Sequence, residues 1–245
     1  MEIVFLTALG VGGATVLGAV IGFVFKNISH RFSDIVLAFA AGVMLAAAVL
    51  GLVLPSLEYG GRFGVVVTVV GIFTGAACVS TLDRLVPHIH ATFGHQDSTV
   101  DKGRLDKVIL FVLAIAIHNL PEGIAAGVGF GSGNTADALF IAGGIALQNV
   151  PEGMVIISPM LLAGVPPKKT FFVAALTGLV EVVGTLVGYF AITVSRALLP
   201  FFLAFAGGTM LYVISDEMIP DTHEGGAERG ATYALLAGFS LMLLF

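Results

Sequence analysis

An all-α integral membrane protein of eight transmembrane helices is the fold class that this 245-residue sequence predicts. Hydrophobic residues make up 57% of the chain and charged residues 11%, whereas an ordinary soluble domain carries about a quarter charged residues; the mean hydropathy is +1.03. Eight apolar stretches approach the roughly 20 residues a helix needs to cross the hydrocarbon core. Lys26, Arg31, Arg84, Lys102, Arg104, Lys107, Lys168, Lys169 and Arg229 fall on one set of alternate connections, and only Arg62 and Arg196 on the other. Cytoplasmic loops carry the excess of Lys and Arg, so eight spans with both termini outside the cytoplasm, in a cell (inner) membrane, account for the bias.

Each span is justified in turn. Residues 3–25 lack a basic leader region and a small-x-small cleavage site, so they read as a retained first helix. Residues 34–55 form the second, and 64–83 the third. Cys78, the single cysteine, lies in that third run, which rules out an internal disulfide and a thiolate cluster. A cytoplasmic loop over 84–105 carries His88, His90 and His95, and His-containing loops of this kind bind metals loosely or simply remain solvated. Spans 106–129, 137–163, 170–195 and 199–219 follow, with a short last span at 230–245. All are expected to be helical, because lipid cannot satisfy an isolated strand or loop. The 32 glycines fit close helix–helix approach, and Gly18-xxx-Gly22 and Gly184-xxx-Gly188 serve either as homodimer faces or, the favoured reading, as internal packing.

A repeat is visible at a constant offset. Ala38-Phe39-Ala40-Ala41-Gly42-Val43-Met44-Leu45 parallels Ala204-Phe205-Ala206-Gly207-Gly208-Thr209-Met210-Leu211, and in the same register Gly12, Gly18 and Gly22 fall on Gly178, Gly184 and Gly188. Spans 1–3 therefore match spans 6–8 with opposite direction, leaving spans 4 and 5 as a central pair: a 3+2+3 inverted-repeat bundle. Inverted repeats are typical of secondary transporters, whose sites lie near the midplane on interrupted helices. The central pair is itself matched, His118-Asn119-Leu120-Pro121-Glu122-Gly123 against Gln148-Asn149-Val150-Pro151-Glu152-Gly153.

Those motifs carry the chemistry. Positions 118 and 122, and 148 and 152, are four apart and share a helix face. Each Asn stands three before its Glu, so Glu122 and Glu152 are placed to bridge two adjacent cation positions. Pro121 and Pro151 free the carbonyls of Ile117 and Leu147. Burying Glu122, Glu152 and Glu181 unpaired costs roughly 2.5–3.5 kcal/mol each, with no Lys or Arg at that depth; a divalent cation is the missing partner, protonation the alternative. The mixture of imidazole, carboxylate and amide oxygen suits Zn²⁺, Cd²⁺, Fe²⁺ or Mn²⁺ better than Mg²⁺ or Cu⁺. Asn119, Gln148 and Asn149 read equally as interhelical hydrogen-bond glue, and Met44 as packing. Asp216, Glu217 and His223, with Glu224, read as a cytoplasmic exit cluster at the foot of span 7, or as solvated surface.

His-Asn-Leu-Pro-Glu-Gly and Gln-Asn-Val-Pro-Glu-Gly resemble the paired signatures of the ZIP metal-ion transporters, in particular the bacterial GufA-like branch. Ala-Ala-Gly-Val-Met-Leu on span 2, Glu181-Val182-Val183-Gly184 on span 6 and Glu217-Met218-Ile219-Pro220 on span 7 extend the likeness over the chain. The resemblance implies an eight-helix 3+2+3 architecture, a binuclear metal centre, and transport of Zn²⁺ or a similar ion toward the cytoplasm. It places Met44, His118, Glu122, Gln148 and Glu152 at a primary position, and Asn119, Asn149 and Glu181 with the two bridging glutamates at a second. Departures are Gln148 where many members carry His, Asn149 where some carry Asp, and Asp216 where related bacterial members carry His. No organic cofactor, nucleic-acid partner or catalytic residue is expected. A passive cation channel is the nearest alternative. An intramembrane metal-dependent hydrolase is disfavoured by the absence of His-Glu-x-x-His and by a single His within a span.

Overall fold

The computed structural model describes residues 1–25, 29–93, 102–223 and 228–244. These are helical nearly throughout, with no strand among the described residues, as expected. The helices are α1 (Glu2–Val24), α2 (His30–Ala46, continuing through Ala47–Val53 and Leu54–Tyr59), α3 (Gly64–Phe93) and α4 (Lys102–Gly129). After them come α5 (Thr135–Leu162), α6 (Pro167–Val194), α7 (Leu199–Val213, continuing through Ile214–Met218 and Ile219–Asp221) and α8 (Glu228–Met242).

Local chemistry sets several of their starts. Ser29 caps α2, its Oγ accepting from the Phe32 amide at 3.2 Å, and Asn134 caps α5, its Oδ1 accepting from the Ala136 amide at 3.0 Å. Proline opens the first turn of α6 and α7, where its missing N–H costs nothing. Two segments widen into π-helical turns, Ala47–Val53 and Ile214–Met218, each running directly into a proline, Pro55 and Pro220. Proline has no N–H to close its turn, and a wide turn absorbs the fault. The irregular helices are thus α2 and α7, while α4 and α5 run unbroken through Pro121 and Pro151. This differs from the interruption expected on the central pair.

Six of the described helices are long and apolar enough to cross a membrane: Glu2–Val24, Arg31–Tyr59, Gly61–Leu82, Thr135–Leu162, Pro167–Val194 and Arg196–Asp221. The spans expected at 106–129 and 230–245 are not among them. The first lies on α4, whose early side chains are outside the description, and α8 has 15 residues, about 22 Å at 1.5 Å per residue. The stretch 84–105 is helical at both of its described ends, because α3 continues to Phe93 and α4 starts at Lys102. His88 and His90 lie on that extension, where their side chains are outside the description; His95 and Glu224 lie outside the described residues.

Glycines decide how the helices meet. A methyl group on Gly12 would run into the Gly178 carbonyl, and one on Gly178 into the Gly12 carbonyl, so α1 and α6 cross with backbones touching. Gly18 packs on the Val150 carbonyl and Gly22 on that of Met154; Gly184 and Gly188 pack correspondingly on Leu120 and Ile124. These positions are therefore internal packing, the favoured of the two readings. α1 packs chiefly on α5 and α6, and α4 on α6, while α2 packs on α8 and α3 on α7. Among the described residues, every interhelical contact of a glycine with another helix's backbone falls within α1/α4/α5/α6 or within α2/α3/α7/α8. Across the boundary the glycines meet side chains: Gly51 meets Ile141, and Gly144 meets Met242 and Ala47.

Candidate metal centre

Six polar side chains are buried on the two proline-bearing helices: His118, Asn119 and Glu122 on α4, and Gln148, Asn149 and Glu152 on α5. The four-residue spacing sets His118 with Glu122 and Gln148 with Glu152 along one face of each helix. Pro121 and Pro151 have no N–H to donate to the carbonyls of Ile117 and Leu147. Glycines follow both glutamates and let the neighbouring helices close in, Gly123 against the Glu181 carbonyl and Gly153 against that of Thr15.

Glu181 of α6 is fully buried and held by three donors. Its Oε1 accepts from Thr15 Oγ1 at 2.7 Å and from Asn119 Nδ2 at 2.6 Å, and its Oε2 accepts from Asn149 Nδ2 at 2.6 Å. Asn149 Nδ2 also donates to the Val11 carbonyl at 3.1 Å. One carboxylate thereby ties α1, α4, α5 and α6 together through short charge-assisted bonds. The amide nitrogens of both asparagines realise the hydrogen-bond reading left open by the sequence.

The remaining groups are mostly acceptors. His118 Nε2 lies 2.8 Å from Glu217 Oε1 of α7, and Gln148 Nε2 donates to Glu152 Oε1 at 3.4 Å, a long contact. Oε1 of Gln148 and Oδ1 of Asn119 and of Asn149 are buried with no hydrogen-bond partner among the described residues, and the buried oxygens of Glu122 have only the Gln148 side chain near enough to donate. Each such unmade bond costs roughly 1–3 kcal/mol. Glu122 lies within Coulombic range of Glu152 and Glu181, and Glu152 within range of His118. The sequence holds no Lys or Arg between residues 108 and 167, nor between 170 and 195, so no Lys or Arg of these helix interiors balances the carboxylates. Unpaired buried acceptor oxygens beside several carboxyl groups are chemistry for a cation. Among the described residues no three His, Cys, Asp or Glu side chains converge on one ion position by themselves; amide oxygens must contribute.

The other expected residues separate. Met44 is fully buried and packs in the apolar core with residues such as Val43, Ala47 and Met210. Glu217, expected in the exit cluster, instead reaches His118, because the wide turn of α7 directs it inward. Its neighbour Asp216 is exposed. His223 is exposed at the end of α7, with Nδ1 2.8 Å from the Ile219 carbonyl and 3.1 Å from Thr222 Oγ1. Sequence reading missed Thr15, although it stands 166 residues before Glu181, the offset that aligns Gly12 with Gly178. It also passed over Asp34, buried near the start of α2 with Oδ2 unpartnered among the described residues.

A family model described as ZIP Zinc transporter matches residues 87–245. The chain belongs to the ZIP family. Its ZIP relatives include "Zinc transporter GufA" of Myxococcus xanthus, 39% identical over 239 residues, covering 95% of this chain and 93% of the relative. "Zinc transporter ZIPB" of Bordetella bronchiseptica is 39% identical over 242 residues, covering 94% of this chain and 76% of that protein. "Zinc transporter ZupT" of Chlorobaculum parvum is 33% identical over 248 residues, covering 94% and 91%. The resemblance to the ZIP family and its GufA-like branch is thus borne out over nearly the whole chain.

Proposed function

We propose that this ZIP-family protein carries a divalent cation, Zn²⁺ foremost, across a cell membrane toward the cytoplasm. Cd²⁺, Fe²⁺ and Mn²⁺ are the further candidate substrates. The observation that carries the reading is the set of buried, unpartnered acceptor oxygens on α4 and α5, facing no protein cation. His118, Glu122, Gln148 and Glu152 hold the ion, and Met44 joins them in the family pattern. Relatives named zinc transporters support the choice of metal. The Lys- and Arg-rich connections lie on the cytoplasmic side and both termini outside.

The bundle is a 3+2+3 inverted repeat. What supports this is the matching of contacts: Gly12 and Gly178 meet each other, Gly18 on Val150 answers Gly184 on Leu120, and Gly42 on Leu235 answers Gly208 on Ile72. Alternating access then has α1, α4, α5 and α6 moving as a unit against α2, α3, α7 and α8. Backbone-close glycine contacts inside each group favour rigid units, and side-chain contacts between them favour a sliding boundary. The His118–Glu217 pair crosses that boundary, so it must break as the units move.

Purified protein in liposomes loaded with a metal-sensitive dye tests this. Zn²⁺ and Cd²⁺ uptake is expected to saturate with concentration, and Glu152→Gln to reduce it to the level of empty vesicles. Uptake rising linearly without saturation would make the protein a channel, and undiminished uptake by the variant would remove the site.

A further inference from the structure

The family pattern implies a second cation bound between Glu181, residue 149 and the bridging glutamates. We propose that this chain holds one cation and not two, because the amide groups of Asn119 and Asn149 occupy the place of the second cation at Glu181. The inference rests on the first position, at His118, Glu122, Gln148 and Glu152, being a cation site.

Three hydrogen bonds carry it. A carboxylate offers about four lone-pair sites, and Glu181 spends three of them on Thr15 Oγ1, Asn119 Nδ2 and Asn149 Nδ2. The NH₂ group of each amide thus meets the carboxylate where a cation's positive charge would otherwise be needed. Asn149 is pinned by an independent partner, since its Nδ2 also donates to the Val11 carbonyl at 3.1 Å. Both amide hydrogens are therefore used. Turning the amide over to offer Oδ1 to a cation would set that oxygen against the Val11 carbonyl and against Glu181, with no donor left for either. Thr15 adds the third bond from α1, and the resulting knot joins four helices.

An aspartate at 149 reverses the balance. It would donate nothing, so its oxygens, the Glu181 carboxylate and the Val11 carbonyl would meet as acceptors, and a second cation would become the natural partner. The single atom exchanged at the side-chain end, Nδ2 for an oxygen, sets the number of metals held. Glu181 is accordingly a positioning residue. It holds the two amides by nitrogen, and their Oδ1 atoms have no hydrogen-bond partner among the described residues.

Metal-stripped, detergent-purified protein titrated with Zn²⁺ by calorimetry, with elemental analysis after desalting, reads the count. Glu122→Gln/Glu152→Gln serves as background. Wild type is expected to hold one Zn²⁺ above that background, Asn149→Asp two, and Asn149→Asp/Glu181→Gln one again, with thermal melting confirming that each variant folds. Two ions in wild type would overturn the proposal, and so would one ion in a folded Asn149→Asp. The wild-type count needs no variant, so a variant that fails to fold leaves the test standing. No ion in wild type would bring down the first position itself, and this inference with it.

Discussion

At Gln148 the chain sets a neutral amide in the proposed cation site, and the amide is only half engaged. Its nitrogen reaches Glu152 at 3.4 Å, and its oxygen has no partner among the described residues. An amide oxygen is a weak, hard ligand, whereas imidazole suits Zn²⁺. Gln148→His is therefore expected to tighten Zn²⁺ binding by about tenfold, ~1.4 kcal/mol, with a smaller gain for Mn²⁺, and to slow ion release. Paired calorimetric titrations with the two metals, set beside transport rates in liposomes, check this. An equal gain for both metals would mean that residue 148 does not touch the ion. At this scale much of the candidate centre was legible, because His118, Glu122, Glu152 and Glu181 are titratable residues set within apolar runs, and burial there demands a reason. Glu217 was not legible as a partner of His118. Its exposed neighbour Asp216 and nearby His223 make the whole cluster look solvated, and only the wide turn at Ile214–Met218 shows which acid turns inward.

At the scale of the helix, neighbouring glycines on α1 have opposite duties. Gly12 touches the Gly178 carbonyl of α6, while a methyl group on Gly13 would meet nothing within 4 Å. Gly12→Ala must force α1 away from α6, and overpacking of this kind costs roughly 1–3 kcal/mol or more. Gly13→Ala relieves a helix-interior glycine and is expected to gain about 0.5–1 kcal/mol. Melting of the two variants in one detergent should move them in opposite directions, and a shared direction would contradict the crossing. Sequence reading found this crossing from the other side, since the offset aligning Gly12 with Gly178 is the one that aligns Gly18 with Gly184. It paired the third span with the eighth by order alone, because their contacts run in a different register. Gly42 and Gly208 keep the common offset, but their partners Leu235 and Ile72 do not. Nor could it place the helix irregularities. Every proline in an apolar run looks alike in sequence, yet α4 and α5 absorb theirs within regular helix, and α2 and α7 widen ahead of Pro55 and Pro220.

For the molecule as a whole, the proposed alternating access makes the boundary between the two four-helix groups the surface on which transport depends. Two disulfides distinguish a sliding boundary from a fixed one, introduced where Cβ spacing is already near the ~3.5–4.5 Å that a disulfide needs. A Cβ on Gly144 of α5 would lie 3.2 Å from the Ala47 Cβ of α2, across the boundary. A Cβ on Gly207 of α7 would lie 3.5 Å from the Leu52 Cβ of α2, inside one group. With the exposed native thiol removed by Cys78→Ala, Ala47→Cys/Gly144→Cys is expected to halt Zn²⁺ uptake on oxidation and to regain it on reduction. Oxidised Leu52→Cys/Gly207→Cys should go on transporting near the rate of its reduced form, because its two helices move together. Uptake that persists with the first pair locked would leave the ion a path through a stationary bundle, and the protein would conduct as a pore.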